Sequence, residues 1–366
     1  MHVQISGGLH ASVLAALMVT MQYAVLIRPI IQLAGQEAWL AALIGGLYAL
    51  ILYLLAVWIA CRFPGRDPLG GISRILGPWA AFPLKLLLTL GNLQWSALAI
   101  RGIEFFVTIL MLPETPEWVL GVMIGAVALY GALHGIETVA RIVFATLMPS
   151  IVVLLLLPAG LYREIRVLNV DPLFYRGFDG LLQAALVAMC WAGQAAFAVT
   201  LIPHLSPKDN PYRWVCVGIG GGTLLFAMLA ALVTLSFGSL LPGRLIYPGY
   251  DLLAIIDFPE GVERIQTAIL VLWLCSRMSK AAFNLCLALE EGSFLVGQHR
   301  RTGTGIILAA AAVLLGRLIP GSLSLASLRV NPIWITSVLG SQILVVVLLA
   351  SLALAARLKQ GGSLSG

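Results

Sequence analysis

Charge is scarce in this chain. Asp, Glu, Lys and Arg together make up 10% of its 366 residues, whereas soluble globular domains use about 25%. Hydrophobic residues account for 60%, and the mean hydropathy is +0.99. No polar stretch is long enough to fold as a separate soluble domain, so we expect a single membrane domain over residues 1–366. Function must then be sought at the few polar residues inside the membrane.

Metal-binding cysteine motifs and catalytic signatures are also missing. The sequence has no HExxH, no nucleophile elbow and no carboxylate pair at a usable depth, and His10, His134 and His204 are scattered. We therefore expect no enzyme, no metal and no cofactor. The five cysteines have no CxxC spacing and are predicted to be small buried hydrophobic residues: Cys61, Cys190, Cys216, Cys275 and Cys286.

Long apolar runs are what the chain has in abundance. A helix needs about 20 apolar residues to cross the hydrocarbon core of a bilayer, and the runs have this length. Read against Pro, Gly and charge, they predict an all-α polytopic membrane protein with about ten spans, five in residues 8–162 and five in residues 180–358. The spans cover residues 8–32, 37–61, 80–112, 117–133, 139–162, 180–203, 213–241, 262–296, 303–319 and 332–358.

Lys and Arg lie mainly in short loops, so the net charge of +6 indicates topology rather than nucleic-acid binding. Arg62, Arg66 and Arg74 lie between spans two and three, and acidic residues crowd the loops of the opposite side. By the positive-inside rule we expect both termini in the cytoplasm. Three arginines on the acidic side oppose this orientation: Arg163, Arg166 and Arg176.

Two spans carry polar residues and glycine at matching depths. Span one contains Gln22 and Tyr23 at its middle and the step Arg28–Pro29 near its end, and span six contains Gly193–Gln194. Five helices separate them, which fits a transporter of two inverted repeats whose discontinuous helices form the central site. The alternative is two ordinary helices, each with a polar bend.

Several stretches resemble the endospore germination permease family, the B subunits of spore germinant receptors. They are residues 264–273 (RIQTAILVLW), 138–141 (TVAR), 169–172 (NVDP), 191–203 (WAGQAAFAVTLIP) and 247–248 (YP). The resemblance implies membership of the amino acid, polyamine and organocation transporter superfamily, with a LeuT-like five-plus-five inverted repeat and broken helices 1 and 6. It also implies a nutrient germinant, often a small amino acid, between helices one, three, six and eight. The implied partners are the receptor A subunit and the C-subunit lipoprotein, in the spore inner membrane or cell membrane.

The chain departs from the family in helix one. Family members often have a Gly-x-Gly unwinding there, and this sequence has Gln22, Tyr23 and Ala24. Glycine frees the backbone, so a tyrosine in its place should fill part of the site and keep the helix more regular. The resemblance still places these three residues at the ligand.

Span eight has the strongest polar stripe. Arg277, Lys280 and Asn284 lie on one helical face because they are three, four and seven residues apart. By resemblance, Lys280 and Asn284 line the ligand cavity. Lys280 either meets the germinant carboxylate or stands where related transporters bind sodium between helices one and eight. The alternative is that Arg277 and Lys280 pair with Glu104 or extend to the membrane surface.

Spans three and six supply the other predicted site residues. Arg101 and Glu104, one turn apart, are expected to neutralise each other as a structural ion pair. By resemblance, residues of span three face the ligand, and Trp95 forms an aromatic wall of the site. The alternative is that Trp95 faces lipid or packs in the protein core. A break in span six would expose backbone groups to a ligand. The candidate ligand-binding residues of these spans are Gly91, Asn92, Trp95, Trp191, Gly193 and Gln194.

Glycines in spans four and seven are predicted to allow close helix packing, since no phosphate-binding motif surrounds them. They are Gly121, Gly125, Gly218, Gly220, Gly221 and Gly222.

Three functions fit these observations. The first is a receptor subunit that binds a small nutrient and signals germination. The second is a proton-coupled or exchange amino-acid transporter, and the third is a structural assembly subunit without a ligand. The first two need the same midplane site, and the resemblance favours the first.

Overall fold

Backbone N–H and C=O groups find no water inside a bilayer, so an apolar chain must satisfy them within helices. The computed structural model describes residues 4–20, 26–172, 174–256, 265–296, 300–318 and 331–362. Among these residues there is no strand beyond an isolated parallel bridge between Ile5 and Leu205. The α-helices are α1 (Gly7–Val19), α2 (Ile27–Ala34), α3 (Ala38–Ala60), α4 (Pro68–Leu76), α5 (Pro78–Leu110), α6 (Glu117–Leu133), α7 (Ile136–Gly160), α8 (Gly177–Ala192), α9 (Pro211–Val215), α10 (Gly221–Phe237), α11 (Pro248–Ala254), α12 (Ile265–Val296), α13 (Arg301–Leu318) and α14 (Pro332–Gly362).

The helices follow the predicted spans in order. Eight helical stretches of the described residues are long and apolar enough to cross a membrane, and α1 and α6 are shorter apolar helices. Predicted span one corresponds to α1 and α2, span six to α8 and its continuation, and span seven to α9, a π-helical turn and α10. The chain is therefore a multi-pass, all-α membrane protein.

Spans one and six are interrupted, as predicted. In span one, α1 ends at Val19 and α2 begins at Ile27; Gln22, Tyr23 and Ala24 lie outside the described residues. In span six, α8 passes directly into a 3-10 helix, Gly193–His204. Runs of 3-10 helix beyond three or four residues are uncommon, and they often mark strain or a functional hinge.

Two loops contain short helices that the hydropathy pattern does not predict. In the loop after α3, the Asp67 side chain accepts a hydrogen bond from Gly70 N at 2.8 Å, and Pro68 occupies the first turn of α4. Both are helix-start signals, since Pro has no N–H to leave unpaired there. The second short helix, α11, also begins with a proline, Pro248.

The cysteine prediction is wrong for three of the five residues. Cys190 and Cys286 are buried, whereas Cys61, Cys216 and Cys275 are exposed on the protein surface. An apolar run does not distinguish the two environments, because lipid tails are as apolar as a protein core.

The glycines of span seven pack against α1. A Cβ at Gly222 would lie 2.8 Å from the Met18 Cβ, and one at Gly218 would lie 2.6 Å from the Ala11 carbonyl oxygen. The prediction of close helix packing is confirmed at these two positions. At Gly220 and Gly221 a Cβ would meet nothing within 4 Å, so there the prediction is wrong.

Adjacent glycines of α10 should therefore respond in opposite ways to the same substitution. Gly222→Ala forces the helices apart and should lower stability by about 1–3 kcal/mol, whereas Gly221→Ala adds a methyl group in open space and should not destabilise the protein. Thermal unfolding of the two purified variants in one detergent checks this. Equal melting temperatures would contradict the packing role of Gly222.

Candidate functional site

The polar centre of the molecule is built on one backbone carbonyl. α1 ends at Val19, so the Leu17 carbonyl lies in its last turn, where carbonyls are commonly satisfied by groups from outside the helix. Two side chains supply donors: Gln194 Nε2 at 2.8 Å and Lys280 Nζ at 3.3 Å. Gln194 Nε2 also donates to the Trp191 carbonyl at 2.9 Å. Residues from spans one, six and eight thus converge on one oxygen atom.

These groups are sealed from the surface. Lys280 is 1% exposed and Gln194 is 3% exposed. A buried polar group is costly unless it is hydrogen-bonded, and here the cation at the core is met by a carbonyl rather than by a carboxylate. The contact therefore joins α12 to the end of α1 through one charge-assisted hydrogen bond.

Span three is tied to the same centre by two side chains of α5. Asn92 Nδ2 donates to the carbonyls of Leu88 and Phe197, both at 3.0 Å. Ser96 Oγ donates to the Ala281 carbonyl at 3.1 Å. Asn92 holds α5 against the 3-10 helix and Ser96 holds it against α12, so span three is hydrogen-bonded to both span six and span eight.

Tryptophans pack beside this centre. The Trp95 and Trp191 ring centroids are 5.4 Å apart in an edge-to-face arrangement, and the Trp191 and Trp334 centroids are 6.1 Å apart. Edge-to-face geometry is favourable for aromatic rings. Trp95 is buried, so its lipid-facing alternative is wrong.

Two predicted site glycines make room for protein groups. A Cβ at Gly91 would overlap the Phe197 ring, and one at Gly193 would overlap the Gln342 side chain of α14 and approach Tyr48 of α3. Glycine is needed at both positions for close approach of neighbouring elements. Asn284 is buried and its Nδ2 has no hydrogen-bond partner.

Five of the residues predicted from the sequence make contacts that link spans one, three, six and eight. They are Asn92, Trp95, Trp191, Gln194 and Lys280. The predicted residues Gln22, Tyr23 and Ala24 lie outside the described part of the chain.

A separate ion-pair network lies on α5. Arg101 Nη1 is 2.9 Å from Glu104 Oε2 and 2.7 Å from Glu117 Oε2, and Arg317 Nη1 is 3.0 Å from the same Glu117 oxygen. Glu104 is 0% exposed, and the absence of a side chain at Gly121 leaves space for its carboxylate. Sequence spacing indicates the Arg101–Glu104 pair; Glu117 and Arg317 come from other helices.

Since Glu104 pairs with Arg101 and Lys280 binds the Leu17 carbonyl, the alternative that Lys280 and Arg277 pair with Glu104 is wrong.

Sequence reasoning missed a polar cavity of about 210 Å³. It lies about 15 Å along α12 from Lys280, at 1.5 Å per residue. His204 Nε2 lies 3.2 Å from Glu290 Oε2 at its wall. Ionisable residues inside apolar runs are functional candidates because burying them in a membrane costs free energy, and that signal was present in the sequence. The lining includes Asp67, Lys85, His204, Glu290, Glu291 and Arg301.

Removing one partner of the buried Arg101–Glu104 pair should lower the stability of the protein more than removing both partners. Arg101→Met leaves the Glu104 carboxylate buried without its cation, which typically costs about 3–5 kcal/mol, whereas two apolar residues in place of a buried pair are often neutral or stabilising. Thermal unfolding of Arg101→Met and of the double variant with Glu104→Met measures the difference. Arg141→Met, which removes an exposed guanidinium paired with Glu137, is the matched control. A double variant less stable than the single one would contradict this account.

Comparison with known proteins finds relatives that cover most of this chain. A family model described as spore germination protein matches residues 5–319. The putative spore germination protein YfkT of Bacillus subtilis (strain 168) is 27% identical over 292 residues, covering 79% of this chain and 78% of the relative. Spore germination protein KB of the same organism is 20% identical over 294 residues, with 77% and 78% covered. Spore germination protein XB of Bacillus anthracis is 20% identical over 257 residues, with 69% and 70% covered.

A solved structure shares the fold. The chain is similar to Mhp1, a nucleobase-cation-symport-1 family transporter in a closed conformation with bromovinylhydantoin bound, at a TM-score of 0.61 and 13% identity. The match covers 90% of this chain and 78% of Mhp1. The likeness confirms the predicted LeuT-like fold with broken helices 1 and 6. Because the family model spans residues 5–319 of a 366-residue chain, this protein belongs to the spore germination protein family of membrane permeases.

Proposed function

We propose that this protein is the membrane subunit of a spore germinant receptor. It binds a small nutrient, an amino acid by preference, where α1, α5, the 3-10 helix and α12 meet, and it signals germination to the receptor A subunit and the C-subunit lipoprotein. The observation that carries the proposal is the shared Leu17 carbonyl, which accepts hydrogen bonds from Gln194 and Lys280. Three spans whose relative positions a ligand could change are joined there by two hydrogen bonds.

Those two hydrogen bonds supply a mechanism for signalling. A nutrient with its own acceptor groups competes with the Leu17 carbonyl for Gln194 and Lys280. Binding would then release the end of α1 from α12 and from the 3-10 helix, and would favour a second arrangement of the spans. A ligand shifts such an equilibrium by its difference in affinity for the two states.

Lys280 has a second role in this proposal. Its ammonium group lies between α1 and α12 and contacts a backbone carbonyl, as a bound sodium ion would. A tethered charge in this place removes the need for sodium, so nutrient binding should be independent of it.

One observation favours a transporter instead. The polar cavity of about 210 Å³ beside the 3-10 helix provides a second polar compartment along α12, which alternating access would use. The assembly-subunit function is favoured by the burial of Gln194 and Lys280 and by their satisfied contacts with protein groups.

We further propose that the chain forms one permease domain in the spore inner membrane with both termini in the cytoplasm. The basis is the continuous order of the spans along the sequence and the concentration of Lys and Arg in alternate loops.

A thermal-shift screen of the detergent-purified protein against amino acids, sugars and nucleosides tests the proposed function. Ligand binding should raise stability by mass action, reaching about 2.7 kcal/mol at a concentration of one hundred times the dissociation constant. Lys280→Met and Gln194→Leu should lose the shift, and Arg141→Met should keep it. Replacing sodium by choline at constant ionic strength should leave the shift unchanged.

The outcomes separate the alternatives. A shift that rises steeply with sodium would overturn the role of Lys280 as a tethered charge. Uptake of the stabilising compound by proteoliposomes would favour the transporter. A folded protein that responds to no compound would support the assembly subunit.

A further inference from the structure

The Arg277 guanidinium has no hydrogen-bond acceptor among the residues that the structure describes. The side chain is 0% exposed, and this holds for Nε, Nη1 and Nη2 alike. A guanidinium remains charged under all ordinary conditions, so Arg277 places a buried charge that no described carboxylate neutralises. Removing one partner from a buried charge pair is strongly destabilising because it leaves such a charge behind. An arginine in this state points to an anion that the folded protein does not itself supply.

Lys280, the second buried basic residue on the same face of α12, does not compensate the charge of Arg277. Lys280 lies one turn further along α12, and its hydrogen bond goes to the Leu17 carbonyl. The nearby carboxylate of Glu104 is held by Arg101 at 2.9 Å. Among the described residues, no ion pair joins Arg277 or Lys280 to Asp or Glu. Two basic side chains therefore lie one turn apart beside the proposed ligand site.

Neighbouring residues of α5 and α12 hold the Arg277 guanidinium in position. A Cβ at Gly102 of α5 would overlap Arg277 Nη2, so the absence of a side chain there makes room for the group. The Arg277 Cζ lies 5.0 Å from the centroid of the Trp273 ring, within cation–π range. Gly102 follows Trp95 by seven residues, or about two helical turns, which places both on the same face of α5. The guanidinium is thus held on the side of α5 that carries the proposed site.

Aromatic rings cover this region. The Phe106 centroid is 4.5 Å from that of Trp273, 4.8 Å from that of Tyr247 and 6.0 Å from that of Tyr250. We call Phe106, Tyr247, Tyr250 and Trp273 the aromatic cap. Tyr250 belongs to α11 and Tyr247 immediately precedes it, so the cap joins a loop helix to α5 and α12. A ligand reaching Arg277 from this side must displace the cap.

We propose that Arg277 anchors the carboxylate of the ligand, so that the substrate class of this site is small carboxylates, amino acids included. The planar fork of a guanidinium matches a carboxylate with two parallel hydrogen bonds. The aromatic cap closes over the pair and excludes water. The inference rests on the proposed function, because it assigns a residue and a chemical class to the same ligand site.

Arg277→Met and Arg277→Lys test this assignment, with Arg141→Met as the matched control. Without ligand, Arg277→Met should unfold at the wild-type temperature or higher, because it removes an uncompensated charge. For each of the twenty common amino acids that stabilises the wild-type protein, Arg277→Met should bind about thirtyfold more weakly or worse. Arg277→Lys should retain part of the affinity, since it keeps the charge and loses the fork.

Carboxamides of the same amino acids show which ligand group Arg277 recognises. The wild-type protein should bind the carboxamide far more weakly than the acid, and Arg277→Met should bind the two about equally. Inorganic phosphate serves as the second anion and should not stabilise the wild-type protein.

Four results would overturn the assignment. A lower melting temperature for Arg277→Met, together with a wild-type melting temperature for Arg277→Lys, would assign a structural role to the positive charge at this position. Unchanged affinity for a stabilising amino acid, sugar or nucleoside in Arg277→Met would remove Arg277 from the site and leave the proposed function intact. Stabilisation by phosphate that depends on Arg277 would replace the carboxylate class by a phosphate class. A folded wild-type protein that binds none of the compounds would overturn the proposed function together with this inference.

Discussion

The carbonyl of Leu17 is the point on which the centre of this molecule depends. The last carbonyls of a helix need donors from outside it, and apolar surroundings make an unmet carbonyl costly. Gln194 and Lys280 donate to the Leu17 carbonyl. The end of α1 is therefore hydrogen-bonded to spans six and eight. The interruption that makes a binding site possible also ties the two halves of the fold together.

Three buried basic residues in the described part of the chain, Arg101, Lys280 and Arg277, are accommodated in different ways. Arg101 lies between the carboxylates of Glu104 and Glu117, which is the usual solution for a charge inside a membrane. Lys280 contacts a backbone carbonyl. Arg277 has neither. The degree of compensation falls from the first to the third, and the two less compensated cations are those next to the proposed ligand site. Buried polar groups are nearly always hydrogen-bonded, so an exception in a folded protein calls for an explanation such as a functional role.

Glycine has a different use in each part of the fold. Gly218 and Gly222 bring α1 close to span seven, and Gly91 and Gly193 admit bulky side chains of neighbouring elements. Gly102 and Gly121 make room for the charged groups of Arg277 and Glu104. Small residues in membrane helices serve close approach in general, and here they also create the space in which charged side chains are buried.

The sequence by itself determined the number and order of the spans, the interruptions of spans one and six, and the Arg101–Glu104 contact. These depend on local properties: the length of an apolar run, the position of glycine, and a spacing of three residues along one helix. Only the tertiary structure decided which groups meet across helices. The Leu17 carbonyl carries no sequence signal, because every residue has one. The exposed faces of Cys61, Cys216 and Cys275 could not be told from buried faces, since lipid and protein core are equally apolar. Whether Arg277 finds an acceptor depends on the neighbours that α5 and α11 bring to it, and the sequence does not specify those contacts until the chain is folded.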